Sequence, residues 1–159
     1  MKTYTLERRQ LIPRARTDVF AFFSDAFNLE RITPSFLKFR IITPPPIRME
    51  IGTFIEYRIS LFGIPLSWES LIDRWTPEES FVDIQTRGPY AHWHHTHSFE
   101  DKGPRMVVMT DRVEYSVPFG IIGRLVHALF IRRALGKIFD YRASMTTDIL
   151  GEAGNAGRA

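Results

Sequence analysis

Residues 53–117 consist largely of short runs in which polar and apolar side chains alternate. Such alternation is typical of β-strands, because successive side chains point to opposite faces of a sheet. Glycine, proline and other turn-forming residues separate the runs, so each strand can fold back on the one before it. The pattern predicts an antiparallel meander with strands over 53–61, 65–75, 81–86, 88–99 and 106–117.

Two more strands and three helices complete the predicted fold. A curved sheet with one apolar face needs a cover, and the helix that follows residue 118 is the only element long enough. The sequence therefore predicts an α+β fold, in which a curved antiparallel sheet of about seven strands wraps around a long C-terminal helix. The additional elements are strands over 4–12 and 37–43, two short helices over 15–24 and 25–33 after the first strand, and the long helix over 119–150.

The chain is predicted to form one domain with a short tail. With 44% hydrophobic and 13% aromatic residues, 159 residues suffice for a single well-filled core. We assign residues 1–150 to this domain. The small and polar residues of 151–159 predict a disordered tail.

A histidine-rich strand and its successor contain the strongest functional signal. One face of the first strand carries Trp93, His95, His97 and Phe99. Asp111 is the only charge on the apolar face of the second strand, and a buried carboxylate needs partners because its desolvation is costly. A hairpin folded at the connecting loop places Asp111 opposite His95 or Trp93, with His95 at most one step away. We therefore expect a His–His–Asp cluster inside a largely aromatic cavity.

This cluster of His95, His97 and Asp111 allows several interpretations. Its hydrogen bonds could simply hold the sheet in register, as buried polar groups often do. It could orient the polar end of a small molecule in an apolar cavity, or a histidine–aspartate pair could act as general acid and base. The same three residues also form a ligand set for zinc or iron. We assign no catalytic residue and no metal ligand, but these three residues are the candidates for either role.

The inward faces of the strands and of the terminal helix are predicted to line a ligand site. Its predicted residues are Tyr57, Ile59, Trp68, Ser70, Ile72, Trp93, His95, His97, Phe99, Met109, Asp111, Val113, Tyr115, Leu135 and Phe139. His92 and His94 fall on the opposite face, so we expect them to be exposed. The pattern leaves open whether Asp83 and Gln85 point inward or outward.

The C-terminal helix carries two apolar stripes on nearly opposite sides. One straight helix cannot turn both stripes toward the same sheet. Either the helix kinks or breaks near 130–134, with its first part forming a separate helix or packing under the amino-terminal helices, or the first stripe is a lid or docking surface. The first stripe is Ile122, Leu125, Val126, Leu129 and Phe130, and the second is Ile131, Leu135, Ile138, Phe139, Met145 and Ile149.

Composition and charge exclude several classes of protein. The formal net charge is +3, and residues 119–150 alone carry +3. This is too little for a nucleic-acid partner, but it is compatible with an anionic ligand or weak contact with an anionic membrane surface. The absence of cysteine excludes disulfides and thiolate metal sites. No apolar run reaches the ~18 residues of a membrane span, and the first residues lack a signal-peptide core, so we expect a cytoplasmic protein.

Several local strings, taken together, resemble one known superfamily. They are Asn28-Leu29, Ile32-Thr33-Pro34, Phe81–Gln85, Gly88-Pro89-Tyr90, Trp93, His95, His97, Phe99, Asp111, Val113, Tyr115 and Ile138–Arg142. With the order of the elements, they make residues 3–150 resemble the SRPBCC/START superfamily of helix-grip proteins. That superfamily includes pollen allergens, polyketide cyclases/dehydrases, lipid-transfer proteins and coenzyme Q-binding proteins. The strings are most similar to its bacterial ligand-binding SRPBCC domain group.

The resemblance implies a helix-grip fold with a ligand cavity between the sheet and the C-terminal helix, usually without metal or cofactor. We therefore predict a carrier or sensor of a hydrophobic or aromatic small molecule rather than an enzyme. Two alternatives stay open, because the superfamily contains both carriers and enzymes. One is a cyclase/dehydrase-like enzyme that uses a His–Asp pair in the same cavity. The other is a protein that binds a lipid or quinone at a membrane surface.

Overall fold

The computed structural model describes residues 1–151. Seven antiparallel strands form one sheet in the spatial order β1-β7-β6-β5-β4-β3-β2. Chain neighbours pair from β2 to β7, which confirms the predicted meander, and β1 pairs with β7 at the other edge. The strands are β1 (Thr3–Ile12), β2 (Arg40–Ile41), β3 (Phe54–Leu61), β4 (Ile64–Thr76), β5 (Ser80–Arg87), β6 (His92–Gly103) and β7 (Met106–Ser116).

The strand predicted over 37–43 is reduced to the two residues of β2. Ser35–Leu37 forms a 3-10 turn, and Lys38 after it adopts the left-handed conformation with a φ of 45°. The chain therefore changes direction before it can extend along β3.

The helices follow the predicted order. After β1 come α1 (Arg16–Ser24) and α2 (Asn28–Arg31). Residues 120–151 form one continuous C-terminal helix, so the predicted tail over 151–159 lies outside the described residues except for Gly151. No helix in the described part of the chain is long and apolar enough to cross a membrane. The segments of the C-terminal helix are α3 (Gly120–Val126), π1 (His127–Ile131), α4 (Arg132–Thr146) and π2 (Thr147–Gly151).

The C-terminal helix changes its winding at π1. The amide of Arg132 donates to the carbonyl of His127, five residues earlier, where a regular α-helix would use the residue four earlier. A π-helical turn holds an extra residue, so it rotates the face of α3 relative to that of α4. We expected a kink or break near 130–134 as one solution. The structure instead shows an unbroken helix with its irregularity at 127–131.

Only the second apolar stripe packs on the sheet. Leu135 and Phe139 of α4 are buried, whereas Ile122 and Leu125 of α3 are 71% and 60% exposed. The alternative in which the amino-terminal helices cover the first stripe is therefore wrong. α1 packs instead over β6 and β7 at the far end of the sheet.

Polar side chains of the amino-terminal segment fasten the second half of the C-terminal helix. They reach a carboxylate of α4, a carbonyl of α4 and a carbonyl of π2. The three bonds run from Arg8 Nε to Asp140 Oδ1 (2.9 Å), from Gln10 Nε2 to the Ala143 carbonyl (2.8 Å) and from Arg14 Nε to the Leu150 carbonyl (2.6 Å). This half of the helix is thereby held against the edge strand and over the concave face of the sheet.

Candidate ligand-binding site

The β6–β7 hairpin pairs Asp111 with His97. We predicted His95 or Trp93 in that position. The turn comes later than the predicted loop over 101–104, and the register shifts just before it, which moves Asp111 along the strand. His95 is nevertheless one step from Asp111, as expected, and both histidine rings reach the carboxylate.

Two carboxylates face the two histidine rings. Asp111 Oδ1 lies 2.9 Å from His95 Nε2 and 3.0 Å from His97 Nδ1. The second of these contacts is poorly aligned for a hydrogen bond, so it is mainly electrostatic. Asp83 Oδ2 on β5 lies 3.0 Å from His97 Nε2 and 3.5 Å from His95 Nδ1. All four ring nitrogens therefore face a carboxylate, and we call these four residues the His–Asp cluster.

Asp83 points inward, which resolves an orientation that the sequence left open. It pairs with His95 across the β5–β6 ladder, and this register directs its carboxylate toward the histidines. Gln85 has a different role. Its side-chain amide donates to the Tyr90 carbonyl at 2.7 Å and accepts from the Tyr90 amide at 3.2 Å, so it shapes the turn before β6.

Burial and pairing act against each other on the pKa values of the cluster. Burial alone would raise the pKa of Asp111, but the hydrogen bond from His95 and the close contact with His97 outweigh it and hold that pKa well below its usual range. Burial also opposes ionisation of Asp83, yet the bond from His97 and the charge of His95 lower its pKa overall.

The two histidines differ in protonation. Burial lowers the pKa of His97, but its contacts with Asp111 and Asp83 outweigh burial and raise that pKa. For His95, burial and the neighbouring charge of His97 prevail, and the pKa is lowered. As the pH rises, His97 therefore keeps its proton longer than His95 does.

Arg142 of α4 supplies the remaining positive charge. Its Nη1 lies 4.0 Å from Asp111 Oδ1, and its guanidinium lies 4.7 Å from the centre of the Phe139 ring. Its Nε is buried and has no hydrogen-bond partner among the described residues. Arg142 therefore balances the charge of the cluster while one of its donors is still unused.

A cavity of about 160 Å³, partly open to solvent, lies between the sheet, the C-terminal helix and the α1–α2 segment. We call it the central cavity. Its wall is mostly apolar, and Asp83, His95, His97 and Arg142 form one charged patch in it. Ten of the predicted ligand-binding residues line it: Tyr57, Ile59, Trp68, Ser70, Ile72, Trp93, His95, His97, Leu135 and Phe139.

Five predicted residues lie outside this lining. Phe99 and Met109 belong to the core beneath α1, because α1 occupies the space over that end of β6 and β7. Val113 packs behind Trp93, and the Tyr115 hydroxyl bonds His127 Nε2 at 2.9 Å, away from the cavity. Asp111 lies behind the lining and contacts it through His95, His97 and Arg142.

Other lining residues were not predicted. The segment from α1 to β2 closes one side of the cavity, but periodicity in such short elements does not reveal what they pack against. The sequence did indicate that Arg142 faces the cavity, since it follows Phe139 by three residues and Leu135 by seven and so lies on the same helical face. The additional residues include Phe22, Phe23, Leu29, Ile32, Leu37, Ile41, Tyr90, Ile138 and Arg142.

The metal-ligating set also differs from the predicted one. Donor atoms of Asp83, His95 and His97 lie within 4.8 Å of one another, so Asp83 takes the place we gave to Asp111. An ion among them would have to displace contacts that already pair each ring nitrogen with a carboxylate, and it would lie near the Arg142 guanidinium. The donor set is therefore a poor fit to a metal, and we derive no chemistry from one.

Comparison with known proteins identifies the fold. The sequence matches no protein-family model and no curated protein. Solved structures are nevertheless similar over nearly the whole chain. A START superfamily protein from Mycobacterium smegmatis is 8% identical with a TM-score of 0.66, and the match covers 94% of this chain and 98% of that one.

Two enzymes are similar to the same extent. The Zhui aromatase/cyclase from Streptomyces sp. R1128 is 11% identical with a TM-score of 0.67, covering 99% of this chain and 100% of that one. Norcoclaurine synthase from Thalictrum flavum, in complex with dopamine and hydroxybenzaldehyde, is 14% identical with a TM-score of 0.63, covering 92% and 88%. At such identities the similarity shows the fold alone. It confirms the predicted SRPBCC/START-like helix-grip fold.

Proposed function

We propose that the protein is a carrier or sensor that binds one hydrophobic or aromatic small molecule in the central cavity. The main support for this proposal is a mostly apolar cavity wall in which Asp83, His95, His97 and Arg142 lie together. Small-molecule sites usually have this composition, because apolar surface supplies affinity and a few polar groups fix orientation. The polar end of the molecule would face the His–Asp cluster. A cytoplasmic location stays a prediction.

The size of the cavity suggests the size of the group that it accepts. Its volume of about 160 Å³ is close to that of an engineered cavity of ~150 Å³ that binds benzene. The enclosed part of the site therefore suits a single ring or a short alkyl chain, and the open side can accommodate a longer molecule. The similar norcoclaurine synthase structure holds dopamine and hydroxybenzaldehyde, which are single-ring compounds.

Arg142 suggests that the polar end of the ligand is an anion. A buried donor without a partner is costly, and the contact of this guanidinium with the Phe139 ring compensates only in part. Planar guanidinium groups bind carboxylates through paired hydrogen bonds. A carboxylate would use the free donors of Arg142 and lie near His97.

The cluster favours binding over acid–base catalysis. A general base needs a nitrogen within hydrogen-bond reach of the substrate proton. In His95 and His97 every ring nitrogen is directed at Asp83 or Asp111 instead. The cyclase/dehydrase-like alternative would therefore depend on His95 Nδ1, which has no hydrogen bond within the described part of the chain and lies 3.5 Å from Asp83 Oδ2.

Binding can be tested without knowing the natural ligand. Native mass spectrometry of the protein isolated from its own cells should show a bound small molecule that extraction releases. Titration calorimetry with phenylpropionate, decanoate and their amides should then show binding, with the acids tighter than the amides. Neither a co-purified molecule nor any heat of binding with these four probes is the result that would overturn the proposal.

Two variants distinguish the contribution of the apolar cavity to ligand affinity from the contribution of its positive charge. Ile59→Trp fills the cavity and should weaken phenylpropionate at least about tenfold, whereas Leu11→Trp, at an exposed position outside it, should not. Arg142→Gln removes a charged hydrogen-bond donor and should weaken the acid about 10- to 100-fold while leaving the amide unchanged. Equal losses for acid and amide would contradict the anionic end but not the apolar cavity.

A further inference from the structure

The first half of the C-terminal helix exposes an unusual amount of apolar surface. Its outward stripe continues over nearly three turns. Contiguous patches of this kind on a folded protein usually mark a binding surface. The five large side chains that are more than half exposed are Ile121, Ile122, Leu125, Leu129 and Phe130.

The turn between β3 and β4 extends this surface. Phe62 and Ile64 at its tip are 63% and 62% exposed. The Phe62 ring meets the Phe130 ring edge-on, with centroids 6.3 Å apart. The helix stripe and the turn therefore form one continuous apolar surface, which we call the docking face.

The charges that the first half of the helix places around the docking face are all positive. No aspartate or glutamate occurs between residues 117 and 139, whereas Arg124, Arg132, Arg133 and Lys137 do. Arg124 and Arg132 line a groove between the helix and β1, where the other charged residues are Lys2, Arg8 and a single acid, Glu7. None of the four helix cations has a salt-bridge partner among residues 1–151.

From this combination we propose that the docking face binds a membrane surface containing anionic lipid. The apolar side chains enter the boundary between headgroups and acyl chains, and the arginines contact lipid phosphates. The helix lies on the bilayer rather than crossing it.

A second copy of the chain is a poorer partner for this face. In a two-fold symmetric dimer the same surface meets itself, so the Arg124, Arg132 and Arg133 side chains of both copies would lie close together. Like charges across an interface are unfavourable. An anionic lipid surface supplies the countercharge that another copy lacks.

The docking face adjoins the central cavity. Phe62 directly follows Leu61, which lines the cavity, and Phe130 precedes the lining residue Leu135 on the same helix. Docking would therefore place the cavity beside the bilayer, where an apolar ligand could enter or leave. This consequence rests on the proposed function, whereas docking itself does not.

Liposome flotation of the ligand-free protein tests docking separately from ligand binding. The protein should float with vesicles of phosphatidylcholine containing phosphatidylglycerol, and much less with phosphatidylcholine alone. Raising the salt concentration should release it, because screening weakens attraction to the surface. Arg132→Glu with Arg133→Glu should reduce the partition coefficient at least about tenfold. Ile122→Ser with Leu125→Ser should reduce it to a similar extent by removing inserted apolar surface.

Matched variants at the opposite end of the sheet control for net charge and hydrophobicity. Arg74→Glu with Arg105→Glu makes the same charge change, and Leu11→Ser with Ile51→Ser removes the same kind of exposed apolar surface. Both controls should float like the unmodified protein. All four pairs are at exposed positions, so melting temperatures should confirm that each variant is folded.

Several outcomes would overturn the proposal. Equal recovery with neutral and anionic vesicles, or no recovery with either, is incompatible with it. So is a loss of binding that the controls share. A stable dimer in sedimentation analysis that Ile122→Ser with Leu125→Ser dissociates would assign the face to a second copy of the chain.

Discussion

The two halves of the C-terminal helix are both apolar on one side, yet only one half is buried. The half from 132 to 151 is fastened to the amino-terminal segment by three side-chain hydrogen bonds, and it places Leu135 and Phe139 over the sheet. The half from 120 to 131 has one buried polar anchor, His127. An apolar stripe on a helix therefore indicates that the stripe packs against a partner. The polar contacts beside the stripe determine whether that partner is the sheet or another surface.

The energetic difference between the halves is large. Full burial of a leucine, isoleucine or phenylalanine side chain stabilises a protein by about 1.5–3 kcal/mol. The exposed stripe forgoes much of this for five residues. Folding gains little from these side chains, whereas a partner that covered them would gain from their burial.

The most direct test of this comparison is truncation in each half. Phe139→Ala should lower the free energy of unfolding by about 3–5 kcal/mol, because Phe139 is buried beside the cavity. Ile122→Ser should change it by no more than about 0.5 kcal/mol. Urea unfolding measures both. A cost for Ile122→Ser near that of Phe139→Ala would show that the first half is buried in solution.

The fold was largely predictable because it depends on periodicity. The alternation over 53–117 predicted five strands, and the change to helical spacing after residue 118 predicted the cover. Local backbone geometry was less visible. The left-handed conformation of Lys38, which cuts β2 short, and the π1 turn depend on tertiary contacts that no short pattern encodes.

The candidate site was predictable in part. His95, His97 and Asp111 could be grouped because a lone carboxylate on an apolar face must have partners. Asp83 could not be assigned, since its face depends on the register of β5, and a register shift by one residue reverses every side chain. The hairpin register was wrong for the same reason, because a small change in where the turn falls moves Asp111 from one histidine to the next.

Removing the charge of Asp111 tests how the buried half is held. Asp111→Asn leaves His97 and Arg142 short of a countercharge in a buried place, so it should lower the free energy of unfolding by about 3 kcal/mol. Asp140→Asn weakens only an exposed pair with Arg8 and should cost less than about 1 kcal/mol. Chemical denaturation of both variants checks this order, and a near-neutral Asp111→Asn would mean that the cluster does not stabilise the fold.

The hydrogen bond between His127 and Tyr115, which anchors π1 between the two halves, can be tested by a double-mutant cycle. His127→Phe leaves the buried Tyr115 hydroxyl without its partner and should cost about 1–3 kcal/mol. Adding Tyr115→Phe removes the orphaned hydroxyl, so the double variant should be more stable than His127→Phe alone. Additive losses would show that the two side chains are not coupled and that stacking on Tyr4 anchors π1 instead.

The smallest expected effect is the pH dependence of stability. Because the pKa of His97 is raised on folding, its contribution is fully present below the unfolded value of about 6.5 and is lost as pH rises through the folded pKa. Because the pKa of His95 is lowered, its contribution is present above about 6.5 and is lost as pH falls through the folded pKa. The two effects give a maximum near neutral pH, with slopes of at most about 1.4 kcal/mol per pH unit on either side for each proton.

His97→Gln should remove the alkaline slope and keep the acid one, whereas His92→Gln, at an exposed position, should alter neither. Denaturation midpoints between pH 5 and 9 measure both slopes. Membrane docking should show no such profile between pH 7 and 9, because the arginines of the docking face keep their charge throughout this range. A docking profile that followed the stability profile would instead mean that the two halves of the helix act as one unit, and that the exposed half depends on the state of the buried one.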